Sequence, residues 1–505
     1  MSLSRAQNSI KNIVAALVNR GTTYMVRFVL RTIFIYTLSS EYLGVSSLFS
    51  SILTVLSLAD LGFGIAMPYS LYKPLKDNDV PRIQMLMDYY SRIYCYVAIS
   101  VVVLGMILVP FLGVIIDFSH TTISDIKLIY ILYVVQSAVS YLFYYKKTLI
   151  IADQKNYIVN KIECYGNVAV CIIESIALII FKNFIVYLLI GIFGIVFINC
   201  LISYKCDKLY PFLKLPVHMK IKGQDRKKNN KNIMALAIYK GAMAIETSIS
   251  SIIITKIFGL VIVGIWSNYN LIIMSINGIL QTIFNSITSS IGNLIVEKNN
   301  KNLYIVYRAL NLANYWGYGV ATICIVMLIQ SFIGIIWINK EYMIENDAVL
   351  FMALNLFVCG SQNMNGNFRD AYGLFWQGRY RPLLMIISQV TFSYVLAKYF
   401  NIAGIYIGII LSRLVTVGII DPYIVHKFGL HTKLSHYYMD YYTFFALTIL
   451  NLYFTYYVTN FILVYNIYTW IIKGLATFVL CNAFYFICYF NTKPFKYLYN
   501  RLLSV

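Results

Sequence analysis

Apolar runs recur along the whole chain, separated by short polar stretches. Most are long enough to cross a hydrocarbon layer of about 30 Å as a helix. They fall at 11–38, 42–72, 88–116, 125–151, 158–181, 184–204, 233–258, 261–296, 305–337, 347–376, 383–400, 402–425, 441–464 and 467–490. This pattern predicts about fourteen spans. The divisions are least distinct near Lys182, Lys398 and Tyr465.

Composition agrees with the pattern. Of 505 residues, 60% are hydrophobic and 12% charged, about half the charged share of a soluble protein. Mean hydropathy is +0.71. The chain reads as an all-α integral membrane protein. Its first apolar stretch is too long, and too charged inside, to be a cleavable signal. The nine cysteines are mostly scattered through apolar segments without a CxxC pair. They read as small packing residues, not as a disulfide frame or metal site. Richness in Ile, Tyr, Asn and Lys fits an AT-rich bacterial genome.

A net charge of +21 would suggest nucleic acid for a soluble protein. Here the basic residues gather in alternate loops: Lys73, Lys76 and Arg82; Lys146, Lys147 and Lys155; Arg379 and Arg381; Lys493, Lys496 and Arg501. The intervening loops carry Glu41, Asp117, Asp125, Glu341, Glu345 and Asp347 with few cations. The positive-inside rule then puts both termini in the cytoplasm of a bacterial plasma membrane, with membrane lipids and no nucleic acid as partners. It also favours an even number of spans.

The longest loop, 205–232, carries nine Lys and Arg residues and divides two related halves. At an offset of about 220, Arg20-Gly21 falls opposite Lys240-Gly241, and Leu43-Gly44-Val45 opposite Val263-Gly264-Ile265. Gln154-Lys-Asn-Tyr157 matches Gln377-Gly-Arg-Tyr380 at nearly that spacing. The expected organisation is an N-lobe at 1–204, the basic loop at 205–232, a C-lobe at 233–425, and two further helices with a tail at 426–505. Six spans per lobe form parallel repeats, related by a pseudo-twofold axis along the membrane normal.

Candidate chemistry begins in the first span. Arg20, Arg27 and Arg31 share one helical face, with Tyr24 between them. An arginine deep in the bilayer costs at least about 2.5–3.5 kcal/mol. Two placements are open. The row can line a water-filled cavity, where it attracts anions, or its ends can snorkel to the two surfaces. At ~1.5 Å per residue, Arg27 lies ~24 Å beyond Lys11, so snorkelling serves it poorly. Lys240 occupies the matching place in the second half. Arg413 sits midway along the twelfth span, where it lines the cavity or pairs in packing. Arg92 and Arg308 lie near span ends and are expected to snorkel.

Three acidic residues are counted within spans. Asp60 either tethers Arg20 or organises the kink at Gly62-Phe-Gly64 and Pro68. Glu174 and Glu246 either bind a coupling H+ or Na+ or pair with an arginine. Gln281, Asn285, Gln362, Asn363 and Asn367 offer hydrogen bonds to sugars or, as the commoner use, to neighbouring helices.

The run Leu56-Ser-Leu-Ala-Asp-Leu-Gly-Phe-Gly64, then Pro68, Leu71-Tyr-Lys-Pro74 and Tyr89 to Tyr94, resembles the Wzx-type polysaccharide and O-antigen flippases. These belong to the superfamily of multidrug and toxin extruders, oligosaccharidyl-lipid and polysaccharide transporters and lipid II flippases. The likeness is strongest over about 10–115. It implies alternating access between two lobes and an undecaprenyl-diphosphate-linked glycan as substrate. The polysaccharide polymerase and chain-length machinery become candidate protein partners. The family's basic residues of helix 1 and its counterpart fall on Arg20, Arg27 and Lys240. No cofactor is implied. Two other readings share the superfamily, lipid II transport and drug antiport; the second would lead with acidic cavity residues. A membrane polymerase or glycosyltransferase would need a catalytic constellation. None of the five histidines lies mid-span and no paired-carboxylate loop appears, so no enzyme is expected.

Overall fold

The computed structural model describes residues 5–57, 63–118, 121–214, 223–286, 291, 295, 300–374 and 377–503; over 223–244 it gives the course of the helix without side chains. Helices account for nearly all of it. In chain order they are α1 Arg5–Thr37, α2 Ser40–Leu56, α3 Phe63–Lys76, α4 Val80–Leu108, α5 Ile126–Ser140, α6 Tyr144–Ala152, α7 Asn156–Phe181 and α8 Phe184–Leu209. There follow α9 Gly223–Ser286, α10 Asn300–Ser331, α11 Asn346–Ser361, α12 Asn363–Ala371, α13 Arg381–Val415, α14 Val417–Ile424, α15 Leu434–Thr459, α16 Ile467–Tyr489 and α17 Lys493–Leu503.

Among the described residues, eight helical stretches are apolar and long enough to cross a membrane. Two of the eight are far too long for one crossing: Ile245–Ser286 has 42 residues and Arg381–Leu430 has 50. At 1.5 Å per residue either would exceed about 60 Å, twice the hydrocarbon thickness. Both are interrupted. Gly259 breaks α9 with φ 83°, and Phe400 and Asn401 (φ 50°) break α13. Past the second break the chain doubles back: the Ser393 hydroxyl donates to the Ile405 carbonyl at 2.9 Å.

The other two indistinct divisions are also real. Lys182 takes a left-handed φ of 46°, and the Asn183 side chain caps α8 by accepting from Ile185 N and Val186 N. The chain between α15 and α16 ends in a capping box made by Asn466 and Thr469. These polar side chains take up backbone N–H groups that a helix start leaves open.

The repeat seen in the sequence returns in the element bounds about 220 residues apart. The break at Ser39 between α1 and α2 has its counterpart at Gly259. Val80 and Asn300 open equivalent long helices, and Ile126 and Asn346 the next pair. The fourth helix of each repeat is interrupted at the same place, around Tyr141 to Phe143 and at Gln362. Several spans therefore differ from the uninterrupted helices expected of them. A helix start inside a span leaves backbone groups to be satisfied by side chains, and polar residues gather at both interruptions.

By internal contacts the chain divides at Gly264. In the first unit α1 packs mainly along α7. Asn12 donates to the Gln154 carbonyl at 2.9 Å and accepts from Tyr157 N at 2.8 Å. Asn19 reaches Asn160 and Glu163, each at 3.3 Å. Glu41, read as an outer-loop charge, is buried and accepts from Thr122 N at 3.1 Å. Gly44 and Gly264 let two helix starts meet closely. A Cβ on Gly44 would overlap the Leu260 carbonyl, and one on Gly264 the Ser40 carbonyl.

In the second unit α10 is the central post. The appended helices pack on it: Trp316 Nε1 donates to Asn482 at 2.9 Å, and Arg308 grips Asp440 through two bonds of 2.7 Å. The Arg308 side chain is 37% exposed, so this ion pair is compatible with the surface-reaching position expected of it. Asp440 on α15 satisfies the guanidinium bidentately.

Candidate functional site

On α1, Arg20 and Arg27 are exposed and Arg31 half-buried. With Tyr24 they span about 60° of the helix. The α7-facing side, marked by Asn12, Asn19 and Val26, lies about 100° away around the helix. A third side carries Val18, Met25, Val29 and Tyr36, of which Met25 is 75% and Tyr36 68% exposed. That apolar side is centred roughly 150° from the arginines. Helix 1 therefore has three faces: one packed, one apolar and open, and one cationic. If the open apolar face meets lipid chains, the cations do not.

Glu174 on α7 is buried. A Cβ at Gly191 would stand 2.9 Å from Glu174 Oε1 and 3.0 Å from Gln136 Nε2, so the missing side chain makes room for both. Tyr133 and Tyr187 each feel the charges of both Arg31 and Glu174, and Tyr133 donates to Ser46 at 2.7 Å. The structure thus gathers Arg31 and Glu174 around one pair of tyrosines. Glu246 is half-buried on α9. Asp60 lies outside the described residues, as does the side chain of Lys240, whose backbone is helical. The proposed Asp60–Arg20 pair has no structural reading.

Arg413 on α13 is half-buried, its Nη1 3.4 Å from Gln362 Oε1 at the interruption between α11 and α12. Next to it, Asn363 Nδ2 donates to the Tyr318 hydroxyl at 2.9 Å, which donates to Asn277 Oδ1 at 3.0 Å. Asn367 is spent on the Phe284 carbonyl at 3.2 Å. Gln281 and Asn285 are exposed.

The count of three in-span acids was too small. Glu163, Asp370 and Asp421 also lie within the expected spans. Glu163 binds Lys147. Asp421 is 2% exposed, lies 3.0 Å from Arg369, itself 3% exposed, and also binds Arg381. Asp370 adds a 3.0 Å contact to Arg369. The signal was present: Asp421 interrupts the apolar run Val417-Gly-Ile-Ile before Pro422, and a carboxylate there requires a cationic partner. No group of three His, Cys, Asp or Glu able to hold a metal occurs among the described residues.

No family model and no curated protein matches the sequence. Solved structures do match the fold. The lipid II flippase MurJ, in an inward closed conformation, superposes with a TM-score of 0.67 at 12% identity, covering 95% of this chain and 99% of that one. This chain has the fold of MOP-superfamily transporters. An inward-facing multidrug resistance MATE family transporter of that superfamily gives 0.59 at 14% identity, covering 81% of this chain and 96% of its own. A MOP superfamily transporter from Pyrococcus furiosus, described as having a binding pocket of reverse polarity that suggests a different function, gives 0.54 at 14%, covering 85% and 97%. The fold is the two-lobed, all-helical membrane architecture expected, with two helices beyond the second repeat.

Proposed function

We propose that the protein is a flippase. It carries undecaprenyl-diphosphate-linked oligosaccharide units from the cytoplasmic to the outer leaflet of a bacterial plasma membrane by alternating access, for capsule, O-antigen or exopolysaccharide assembly. The observation that carries this reading is the cationic face of α1, exposed yet turned well away from the exposed apolar face. A diphosphate stripped of water cannot cross hydrocarbon. Fixed guanidinium groups replace its hydration, binding phosphate oxygens bidentately. Arg20, Arg27, Arg31 and Arg413 supply those groups, and Lys240 adds an ammonium as a point charge. Glu174, buried on α7 beside Gln136, is the site proposed to take up a coupling H+ or Na+; Glu246 and Asp60 are further candidates for coupling or charge pairing. Loop charge favours both termini in the cytoplasm; the product emerges in the outer leaflet, where the polymerase and chain-length machinery would meet it.

Likeness to MurJ over 95% of the chain supports lipid II transport as the second reading, differing only in the glycan. The drug-antiporter reading is weaker because cations, not carboxylates, occupy the exposed face of α1. The test is direct. Arg20→Ala, Arg27→Ala and Lys240→Ala should each abolish surface glycan while the protein stays inserted. Normal export in all three would refute the proposal.

A further inference from the structure

The stretch of α9 after Gly259 runs Leu260 to Ser286 without one charged residue. It nevertheless carries a polar stripe. Asn270, Asn277, Gln281 and Asn285 fall within about 80° of one another around the helix. Gln281 and Asn285 are exposed, Asn270 and Asn277 half-buried, and Met274 sits among them. The exposed apolar side of the same helix, Val261, Ile279 and Ile283, is centred well over 100° away. Asn270 lies roughly 16 Å along the helix from Gly259, a depth at which a carboxamide facing hydrocarbon would cost several kcal/mol by the harshest transfer scales; Asn277, Gln281 and Asn285 continue the same face toward the far edge of the layer, at roughly 27, 33 and 39 Å. The stripe therefore faces something polar.

Its chemistry narrows what that is. A carboxamide offers a donor and an acceptor and no charge. Asn277 is held in orientation, because the buried Tyr318 hydroxyl donates to its Oδ1 and is itself fixed by Asn363. That turns the Asn277 amino group outward as a donor. Phe284 stacks on Tyr318 at 6.1 Å, and Asn367 holds the Phe284 carbonyl. Gln281 and Asn285 have no hydrogen-bond partner among the described residues. A diphosphate would call for cations and a cationic drug for carboxylates. An uncharged ladder of donors and acceptors fits a neutral ligand dense in hydroxyl and amide groups.

We propose that Asn277, Gln281 and Asn285 form a glycan-binding ladder that holds the sugar head of the transported lipid, separately from the cations that hold its phosphates. This rests on the flippase reading above. The experiment uses the full-length protein in lipid nanodiscs, titrated with two probes: the lipid-linked oligosaccharide fraction extracted from the source cells, and sugar-free undecaprenyl diphosphate. Gln281→Ala with Asn285→Ala should weaken binding of the oligosaccharide fraction by about tenfold. It should leave undecaprenyl diphosphate within about twofold and the thermal midpoint unchanged. Arg20→Ala should weaken both probes.

The ladder is overturned if the double variant binds both probes like the unchanged protein, or loses both equally. It is also overturned if the variant only lowers the thermal midpoint, which would assign the stripe to helix packing. Equal affinity of the unchanged protein for both probes sinks the ladder while sparing the diphosphate reading. Binding of neither probe overturns the flippase reading and the ladder with it.

Discussion

Arginine is used in opposite ways in two regions of this molecule. On α12 and α13, buried Arg369 and half-buried Arg381 meet at Asp421, with Asp370 beside Arg369. On α1, Arg20 and Arg27 are exposed, about 100° around the helix from the side that meets α7. A buried guanidinium has already given its hydrogen bonds to carboxylates and holds the helices together. An exposed one on a membrane-spanning helix contributes little packing, and its cost is recovered when an anion arrives. On the proposed flippase reading the difference separates scaffold cations from those that would meet phosphate, and residue type alone does not reveal it.

The comparison can be broken most severely at Asp421. Asp421→Asn leaves half-buried Arg381 facing a neutral amide and buried Arg369 with Asp370 alone, which should cost up to about 3–5 kcal/mol. Loss of monodisperse protein, or a large fall in thermal midpoint, is expected in detergent. An unchanged midpoint would mean the cluster is not structural. Arg20→Ala and Arg27→Ala should leave the midpoint where it is. Each should weaken undecaprenyl diphosphate binding by roughly ten- to a hundredfold, the worth of a charge-assisted bond to phosphate. A destabilised but fully binding variant would reverse the assignment. At the small end stands Arg92, paired with Asp88 one turn away at 2.7 Å and largely exposed. Arg92→Ala should change stability by no more than about 0.5 kcal/mol and leave transport intact; a larger effect would place it among the cations that would meet phosphate.

Much of the fold was legible because its signal is local. Apolar runs of spanning length located the helices, and loop charge supplied their alternation. The 220-residue echo at Gly44 and Gly264 marked a repeat whose helix starts fall at matching places, from Val80 with Asn300 to Ile126 with Asn346. The interruptions at Phe143 and Gln362 were not legible, because neither is a glycine or proline; Phe143 simply takes a left-handed φ of 64°. Of the candidate site, the arginine row of α1 was visible from 3.6-residue periodicity. Which polar residues serve packing was not. Asn367 and Gln281 look alike in sequence, yet one is tied to the Phe284 carbonyl and the other is exposed. The partner of Arg308 was hidden for the same reason, since Asp440 lies on a helix far along the chain.

The central claim is that the cationic face of α1 meets water and its apolar face meets lipid. Single cysteines introduced in a version lacking the nine native ones test this in intact membranes, with a charged, water-soluble thiol reagent. Cysteine at Tyr24, Arg27 or Arg31 should react, and undecaprenyl diphosphate should protect it; cysteine at Met25 or Val29 should stay unmodified. Labelling at Met25 and Val29 with none at Arg27 would contradict the account.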